Sequence, residues 1–209
     1  KNILIITKPE DKKNFQNLLG NGKKWGLNFS YQIQKKPNGI AEAFIISKKF
    51  IGNSNVCLIL GDNIFYGSDF VNYLKNAVLN SKKVATIFAY QVSNPSAYGV
   101  VSFDKFNKPE KIIEKPKNSK SNFAVTGLYF YPKGVADIAA KIKKSKRGEY
   151  EITAVNQKYL NLSKLKVIKL SRGFTWLDAG THKDLIEASS FIHSVEKRQG
   201  LKIACLEEI

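Results

Sequence analysis

Two aspartates far apart in the sequence stand in matching settings. Asp62 follows the apolar run Val56-Cys57-Leu58-Ile59-Leu60 and Gly61, and Asp178 follows Phe174-Thr175-Trp176-Leu177 and precedes Ala179-Gly180-Thr181. An acid at the carboxyl end of a strand stands where doubly wound sheets bind ligands. Two such carboxylates would suit one Mg²⁺ whose other positions are filled by substrate phosphates. Gly61 would let the backbone approach closely. A plainer role also fits each acid: Asp62 as a turn former, Asp178 as the cap of the helix that follows.

Three weaker constellations accompany the pair. In Ile113-Glu114-Lys115-Pro116, Lys115 is fixed between a strand and a proline, where it could act as a point charge on phosphate. It also fits as one more turn lysine in a lysine-rich chain. In Gln34-Lys35-Lys36-Pro37-Asn38-Gly39-Ile40, a turn opens a helix and presents free backbone N–H groups. Gln34 could read a base through its paired donor and acceptor. Tyr98-Gly99, Asn122 to Gly127 and Arg147-Gly148-Glu149-Tyr150-Glu151-Ile152-Thr153 are polar clusters beside turns. Glu114, Gly99, Tyr129 and Trp176 would suit a pyranose, and equally suit surface turns and core aromatics. His182 and His193 read as helix residues without a role. No setting for Ser-His-Asp or Cys-His catalysis is present.

Positioning these groups requires alternating strands and helices. Strands are expected at Ile3 to Thr7, Phe29 to Gln34, Val56 to Leu60, Val84 to Val92, Tyr98 to Val101, Lys111 to Glu114, Ala124 to Tyr131, Leu165 to Leu170 and Phe174 to Leu177. Helices are expected from Pro9 to about Gly20, Ile40 to Phe50, Asp69 to about Asn80, Pro132 to Lys143, Tyr150 to Leu160 and Thr181 to Gln199. The pattern implies βαβ units: an α/β, Rossmann-like fold with a mostly parallel central sheet and helices on both faces. Val56 to Leu60 reads as a central strand covered on both faces, with Cys57 in the core. Residues 1–209 read as one domain with a helical C-terminal extension from about 181.

The chain has 209 residues, 43% of them hydrophobic and 24% charged, the balance of a soluble globular domain. No apolar run approaches the roughly 20 residues needed to span a bilayer. The opening Lys1-Asn2-Ile3-Leu4-Ile5-Ile6-Thr7 reads as a strand rather than a signal peptide. The chain contains no Met, so a segment is expected upstream. The formal charge of +17 comes mostly from scattered lysines; the arginines are Arg147, Arg172 and Arg198. No basic block interleaved with aromatics appears. A solvated basic surface is therefore expected rather than a nucleic-acid face, and it would draw anionic nucleotides toward a cleft. Two cysteines without metal or disulfide spacing suit a reducing cytoplasm.

Taken together and in order, several of these segments resemble the sugar nucleotidyltransferase family, most closely its glucose-1-phosphate thymidylyltransferase branch. They are Leu60-Gly61-Asp62-Asn63-Ile64-Phe65-Tyr66-Gly67, Val125-Thr126-Gly127-Leu128-Tyr129-Phe130-Tyr131, Arg147 to Thr153, and Trp176-Leu177-Asp178-Ala179-Gly180-Thr181-His182. The tail from Phe191 through Glu196-Lys197-Arg198-Gln199-Gly200 to Glu207-Glu208-Ile209 matches as well. The resemblance implies Mg²⁺-dependent conversion of dTTP and glucose 1-phosphate to dTDP-glucose and pyrophosphate, feeding dTDP-rhamnose synthesis. It implies Asp62 and Asp178 as metal ligands, and Lys115 and Arg147 at the sugar phosphate. Gln34 and Gly39 would face the thymine; Gly99, Glu114, Val125 and Trp176 would line the glucosyl site. It further implies a cytoplasmic homotetramer with a separate regulatory nucleotide site, and no nucleic-acid or membrane partner. Other sugar-1-phosphate nucleotidyltransferases, such as uridylyltransferases, stay open, as does a non-catalytic protein that binds nucleotide sugars or nucleic acid. The family's first strand and its Gly-rich loop of the type Gly-Gly-x-Gly-Thr-Arg-Leu are missing here. That departure leads to the expectation of an N-terminally truncated chain that binds dTTP poorly and turns over little.

Overall fold

In the two strands at the centre of the molecule, alternate side chains serve different cores. The computed structural model describes residues 1–205, so Glu207-Glu208-Ile209 of the tail motif lies outside the described residues. Strands β1 (Asn2–Thr7), β2 (Asn28–Ile33), β3 (Val56–Ile59), β4 (Asn63–Gly67) and β5 (Ala85–Gln91) lie in the first half. They alternate with helices α1 (Lys12–Leu19), α2 (Glu42–Ile46), α3 (Lys48–Ile51) and α4 (Phe70–Asn80). Then come β6 (Gly99–Phe103), β7 (Pro109–Glu114), β8 (Phe123–Tyr131), α5 (Val135–Lys141), α6 (Ile152–Asn161), β9 (Leu165–Lys169), β10 (Phe174–Asp178) and α7 (His182–Gln199).

Strands β5 and β8 are buried along nearly their whole length. Ala85, Ile87 and Ala89 of β5 join Val125, Tyr129 and Tyr131 of β8 in one core, closed by Ala41 and Phe44, by Val135 and Ala139 of α5, and by Ile152 and Val155 of α6. Phe88, Leu128 and Phe130 point the other way, to Ala77 of α4 and Phe174 of β10. That two-sided demand explains why these strands are rich in β-branched and aromatic residues.

The α/β class and the helices on both faces are as expected, but strand directions are more mixed than the mostly parallel sheet foreseen. The sheet order is β7-β6-β8-β5-β9, with β3 also on β8. Parallel pairing occurs between β5 and β9 and, in a separate two-stranded sheet, between β1 and β2. Strand β8 runs antiparallel to β3, β5 and β6, and β6 to β7. The physical reason is local for one pair, since the short link over 104–108 between β6 and β7 allows only an antiparallel return; β8 then enters between β6 and β5, opposing both. A further antiparallel pair, β4 with β10, sets Asn63 opposite Asp178.

Two local expectations change. The helix foreseen over 40–50 breaks into α2 and α3 at Ser47, whose hydroxyl donates 2.6 Å back to the carbonyl of Ala43, a bond that bends helices. Strand β3 is covered on one face only: Cys57 is exposed rather than in the core, and Ile59 is 58% exposed. Among the described residues β3 pairs with β8 alone.

Helix α7 begins as expected. The Thr181 hydroxyl oxygen accepts from the Asp184 N–H at 3.2 Å, and α7 ends at Gly200 with φ 69°. Phe191 packs edge-on against Tyr66 of β4 at 5.7 Å between centroids. Among the described residues no helix is long and apolar enough to cross a membrane.

Candidate active site

The ends of β4, β7 and β10 and the middle of β8 converge on a cleft of about 240 Å³. Asp62, Gly99, Glu114, Lys115, Val125, Arg147, Trp176 and Asp178, all singled out from the sequence, line it together. Gln34 and Gly39 do not line it. Gln34 borders an adjoining groove that shares Ile40, Leu60 and Asp62 with the cleft. Its amide N–H₂ donates to Glu42 Oε2 at 2.7 Å and to the Gly39 carbonyl at 3.2 Å. Gly39 has φ 103°, and a Cβ there would lie 2.5 Å from the Tyr150 carbonyl oxygen. The turn is glycine because the loop passes tightly under Tyr150.

The two aspartates are neighbours. The antiparallel pairing of β4 and β10 brings their strand ends together, and the Ala179 N–H donates 2.8 Å to the Asp62 carbonyl. A Cβ on Gly180 would stand 3.0 Å from Asp178 Oδ1 and 3.4 Å from Asp62 Oδ2, so both carboxylates flank one point. Burial, and then the negative charges of Asp62 and Asp184, raise the pKa of Asp178 above its ordinary value. The Gly180 N–H and the Lys115 ammonium oppose that shift.

Beside the pair, Lys115 has φ 42°, in the left-handed region. A non-glycine residue there is strained by roughly 1–3 kcal/mol. Its own N–H is tied to the Tyr98 carbonyl at 2.9 Å, and Pro116 follows, so the backbone is held while the amine faces the cleft. Arg147 is ringed by acids: Glu149 at 2.9 Å, Glu151 at 3.5 Å and Glu114 at 3.7 Å. Glu114 Oε2 accepts a short hydrogen bond from the Thr153 hydroxyl. Gly99, opposite Glu114 in the register, leaves room there: a Cβ would meet Thr153 Oγ1 at 2.8 Å and Glu114 Oε2 at 3.2 Å. Trp176 is 7% exposed and lies edge-on to Tyr98 at 5.1 Å.

The cleft also contains Asn63, Tyr98, Gly127, Glu149, Glu151 and Thr153, to which sequence reasoning gave no individual role. Asn63 directly follows Asp62 and Thr153 closes the Arg147 motif, so adjacency to the motifs was their only signal. Gly127 comes into reach through a bulge: between the pairs Ile87↔Tyr129 and Ala89↔Val125, two steps along β5 answer to four along β8. The site as a whole offers carboxylates for a cation and a sugar, with two cationic side chains for phosphate.

A sequence model of nucleotidyl transferases matches residues 1–195. The chain belongs to the nucleotidyl transferase family. It is 52% identical, over its whole length and 72% of the relative's, to a glucose-1-phosphate thymidylyltransferase of Neisseria meningitidis serogroup A. A Mycolicibacterium smegmatis protein of the same name is also 52% identical, with the same coverage. Among solved structures, a Bacillus anthracis protein described as a glucose-1-phosphate thymidylyltransferase, in complex with sucrose, superposes with a TM-score of 0.81 at 38% identity, covering 90% of this chain and 75% of that one. A UDP-glucose pyrophosphorylase complexed with UDP-glucose shares the fold, with a TM-score of 0.75 at 22% identity over 93% of this chain and 81% of its own. This nucleotidyltransferase is thus an enzyme whose cleft gathers residues from seven separated stretches of sequence.

Proposed function

We propose that this nucleotidyltransferase transfers a thymidylyl group from dTTP to glucose 1-phosphate, giving dTDP-glucose and pyrophosphate. The observation that carries the reading is the single cleft in which the Asp62–Asp178 pair adjoins Lys115, Glu114, Gly99 and Trp176. One side suits a phosphate and a cation, the other a pyranose. The names of the relatives at about half identity favour glucose 1-phosphate and the thymidylyl group over other sugars and nucleotides.

The donor set fits a divalent cation. Two carboxylates face one point, and the burial and mutual repulsion that raise the pKa of Asp178 are relieved when a cation stands between them. Asp62 and Asp178 would hold Mg²⁺, which when bound would neutralise charge on the reacting phosphates. The remaining work belongs to the chain's own groups. Lys115 screens the repulsion between the incoming sugar phosphate and the nucleotide α-phosphate, with Arg147 at the same phosphate. Glu114 and Gly99 receive the sugar hydroxyls, Val125 the floor and Trp176 the ring. The sugar phosphate oxygen then bonds to the α-phosphorus, and the bond from that phosphorus to the pyrophosphate oxygen breaks. The nucleophile is already anionic, so no general base and no covalent enzyme intermediate are required; catalysis is positioning and charge stabilisation. The base would lie in the adjoining groove beside Gln34, whose amide is tied to the Gly39 carbonyl, with Asp62 at the junction. The finer expectations follow the same reading: Mg²⁺ as cofactor, a step toward dTDP-rhamnose, a cytoplasmic site and a homotetrameric assembly.

The test pairs binding with turnover. Isothermal titration with dTDP-glucose and Mg²⁺ is expected to show saturable binding tighter than UDP-glucose, and pyrophosphate release from dTTP with glucose 1-phosphate is expected to be slow, since dTTP is expected to bind poorly. In the intact enzyme, Asp62→Asn is expected to lower kcat at least about 100-fold, the scale of one lost electrostatic group. No dTDP-glucose binding, or preference for UDP-glucose, contradicts the reading.

A further inference from the structure

Asn63 sits between Asp62, the β8 backbone at Gly127 and the Trp176 indole. Its Oδ1 accepts from the backbone N–H of Gly127 at 2.9 Å and from the indole Nε1–H of Trp176 at 2.6 Å. Its Nδ2 donates to Asp62 Oδ1 at 2.8 Å. A carbonyl-type oxygen has two lone pairs, and both are engaged by groups that can only donate. Rotating the amide by half a turn would set N–H₂ against two N–H donors, so the orientation is fixed by chemistry rather than chosen. The N–H₂ must therefore face Asp62.

The consequence falls on the carboxylate. With Oδ1 held, Asp62 presents Oδ2 toward Gly180 and Asp178. The surrounding backbone is tied to the same strands: the Leu60 N–H donates to the Gly127 carbonyl at 2.9 Å, and the Asn63 N–H to the Leu60 carbonyl at 3.2 Å. Residue 127 must stay glycine for the arrangement to close, because a Cβ there would lie 2.5 Å from Asn63 Oδ1.

We infer that Asn63 is a positioning residue that aims the Asp62 carboxylate at the cation position and fixes that aim to the sugar-binding strand and to Trp176. The inference rests on the assignment of Asp62 as a metal ligand. It divides Asn63 into two separable halves: an acceptor that holds β8 and Trp176, and a donor that orients Asp62. Asn63→Asp keeps the first and removes the second, replacing a donor with a second carboxylate.

The experiment measures Mn²⁺ binding by electron paramagnetic resonance of the free ion, in a Trp25→Phe background that leaves Trp176 as the sole tryptophan. Asp62→Asn and Asn63→Asp are each expected to weaken Mn²⁺ binding about tenfold or more, the scale of one charge-assisted hydrogen bond or ligand lost. Asn63→Asp is expected to keep the Trp176 emission maximum of the parent, whereas Asn63→Ala shifts it. If Asn63→Asp binds Mn²⁺ as well as the parent, or more tightly through its added charge, while Asp62→Asn does not, the inference is overturned and the metal assignment stands. Weakened binding accompanied by a shifted emission also overturns it, because the loss then comes from collapse of the acceptor side. If Asp62→Asn binds Mn²⁺ unchanged, the metal assignment fails and the inference fails with it.

Discussion

Asp178 is a carboxylate whose surroundings oppose its charge. Burial and then the charges of Asp62 and Asp184 raise its pKa above the usual 3.8. A carboxyl group with a raised folded-state pKa contributes stability below its ordinary value and loses that contribution as pH rises through the folded-state value. At neutral pH without metal, ionised Asp178 therefore destabilises the fold. Asp178→Asn keeps the acceptor for the Gly180 N–H, which lies 2.9 Å from Oδ1, and removes the charge. Its Tm at pH 7 in EDTA is expected to exceed that of the wild type, with the gap closing as pH falls toward 3.8. Mg²⁺ is expected to narrow the same gap by stabilising the wild type. A lower Tm for Asp178→Asn at pH 7 contradicts this. Residue types at strand ends pointed to Asp62, Asp178, Lys115 and Glu114, which do line one cleft. They did not point to Asn63, because its role depends on partners in β8 and β10 whose register no local pattern encodes.

At the scale of elements, the β8 bulge is the device that brings Gly127 to Asn63. Gly127→Ala would place a methyl group where the Asn63 oxygen stands. It is expected to destabilise the protein by about 1–3 kcal/mol, as overpacked sites do, and to weaken dTDP-glucose binding; denaturant unfolding and titration measure the two effects. Phe174, 2% exposed, joins the ring cluster of Phe70 and Tyr73 under β4. Phe174→Ala is expected to cost about 3–5 kcal/mol. A loss below about 1 kcal/mol would show that β10 is held by other contacts. Most strands and helices were legible from apolar periodicity and turn residues, and the cap at Thr181 from its hydroxyl. The antiparallel course of β8 and the exposed flank of β3 were not, since an apolar run states that a strand is buried without stating how many neighbours it has. The break at Ser47 turns on one side-chain bond to the backbone, which periodicity averages away.

At the scale of the molecule, the contrast between surface and cleft is the leading feature. The chain carries a formal charge of +17. The cleft, however, is lined by Asp62, Glu114, Glu149, Glu151 and Asp178 against Lys115 and Arg147. On the proposed function, a basic exterior would draw nucleotide anions inward and the acidic centre would take them with a cation. The KM for dTTP is expected to rise as NaCl increases from about 50 to 500 mM, since screening shortens the reach of the surface charge; a KM insensitive to salt contradicts this. Because one core joins residues from Ala41 to Tyr159, we propose that the chain unfolds as one unit. Calorimetry is expected to show a single transition, and two resolved transitions would divide it. The basic surface was legible from composition alone; of the cleft's acids, Asp62, Asp178 and Glu114 were singled out from the sequence, whereas Glu149 and Glu151 were not, because only the fold brings them round Arg147.

The central claim is that Asp62 and Asp178 share one divalent cation. A crystal soaked in Mn²⁺ and measured at the manganese absorption edge tests it most directly. The expected result is one anomalous peak within about 2.0–2.6 Å of both Asp62 Oδ2 and a carboxylate oxygen of Asp178, the range of hard-cation oxygen ligation. No peak between the two carboxylates at saturating Mn²⁺, or a peak bound to only one of them, would contradict it.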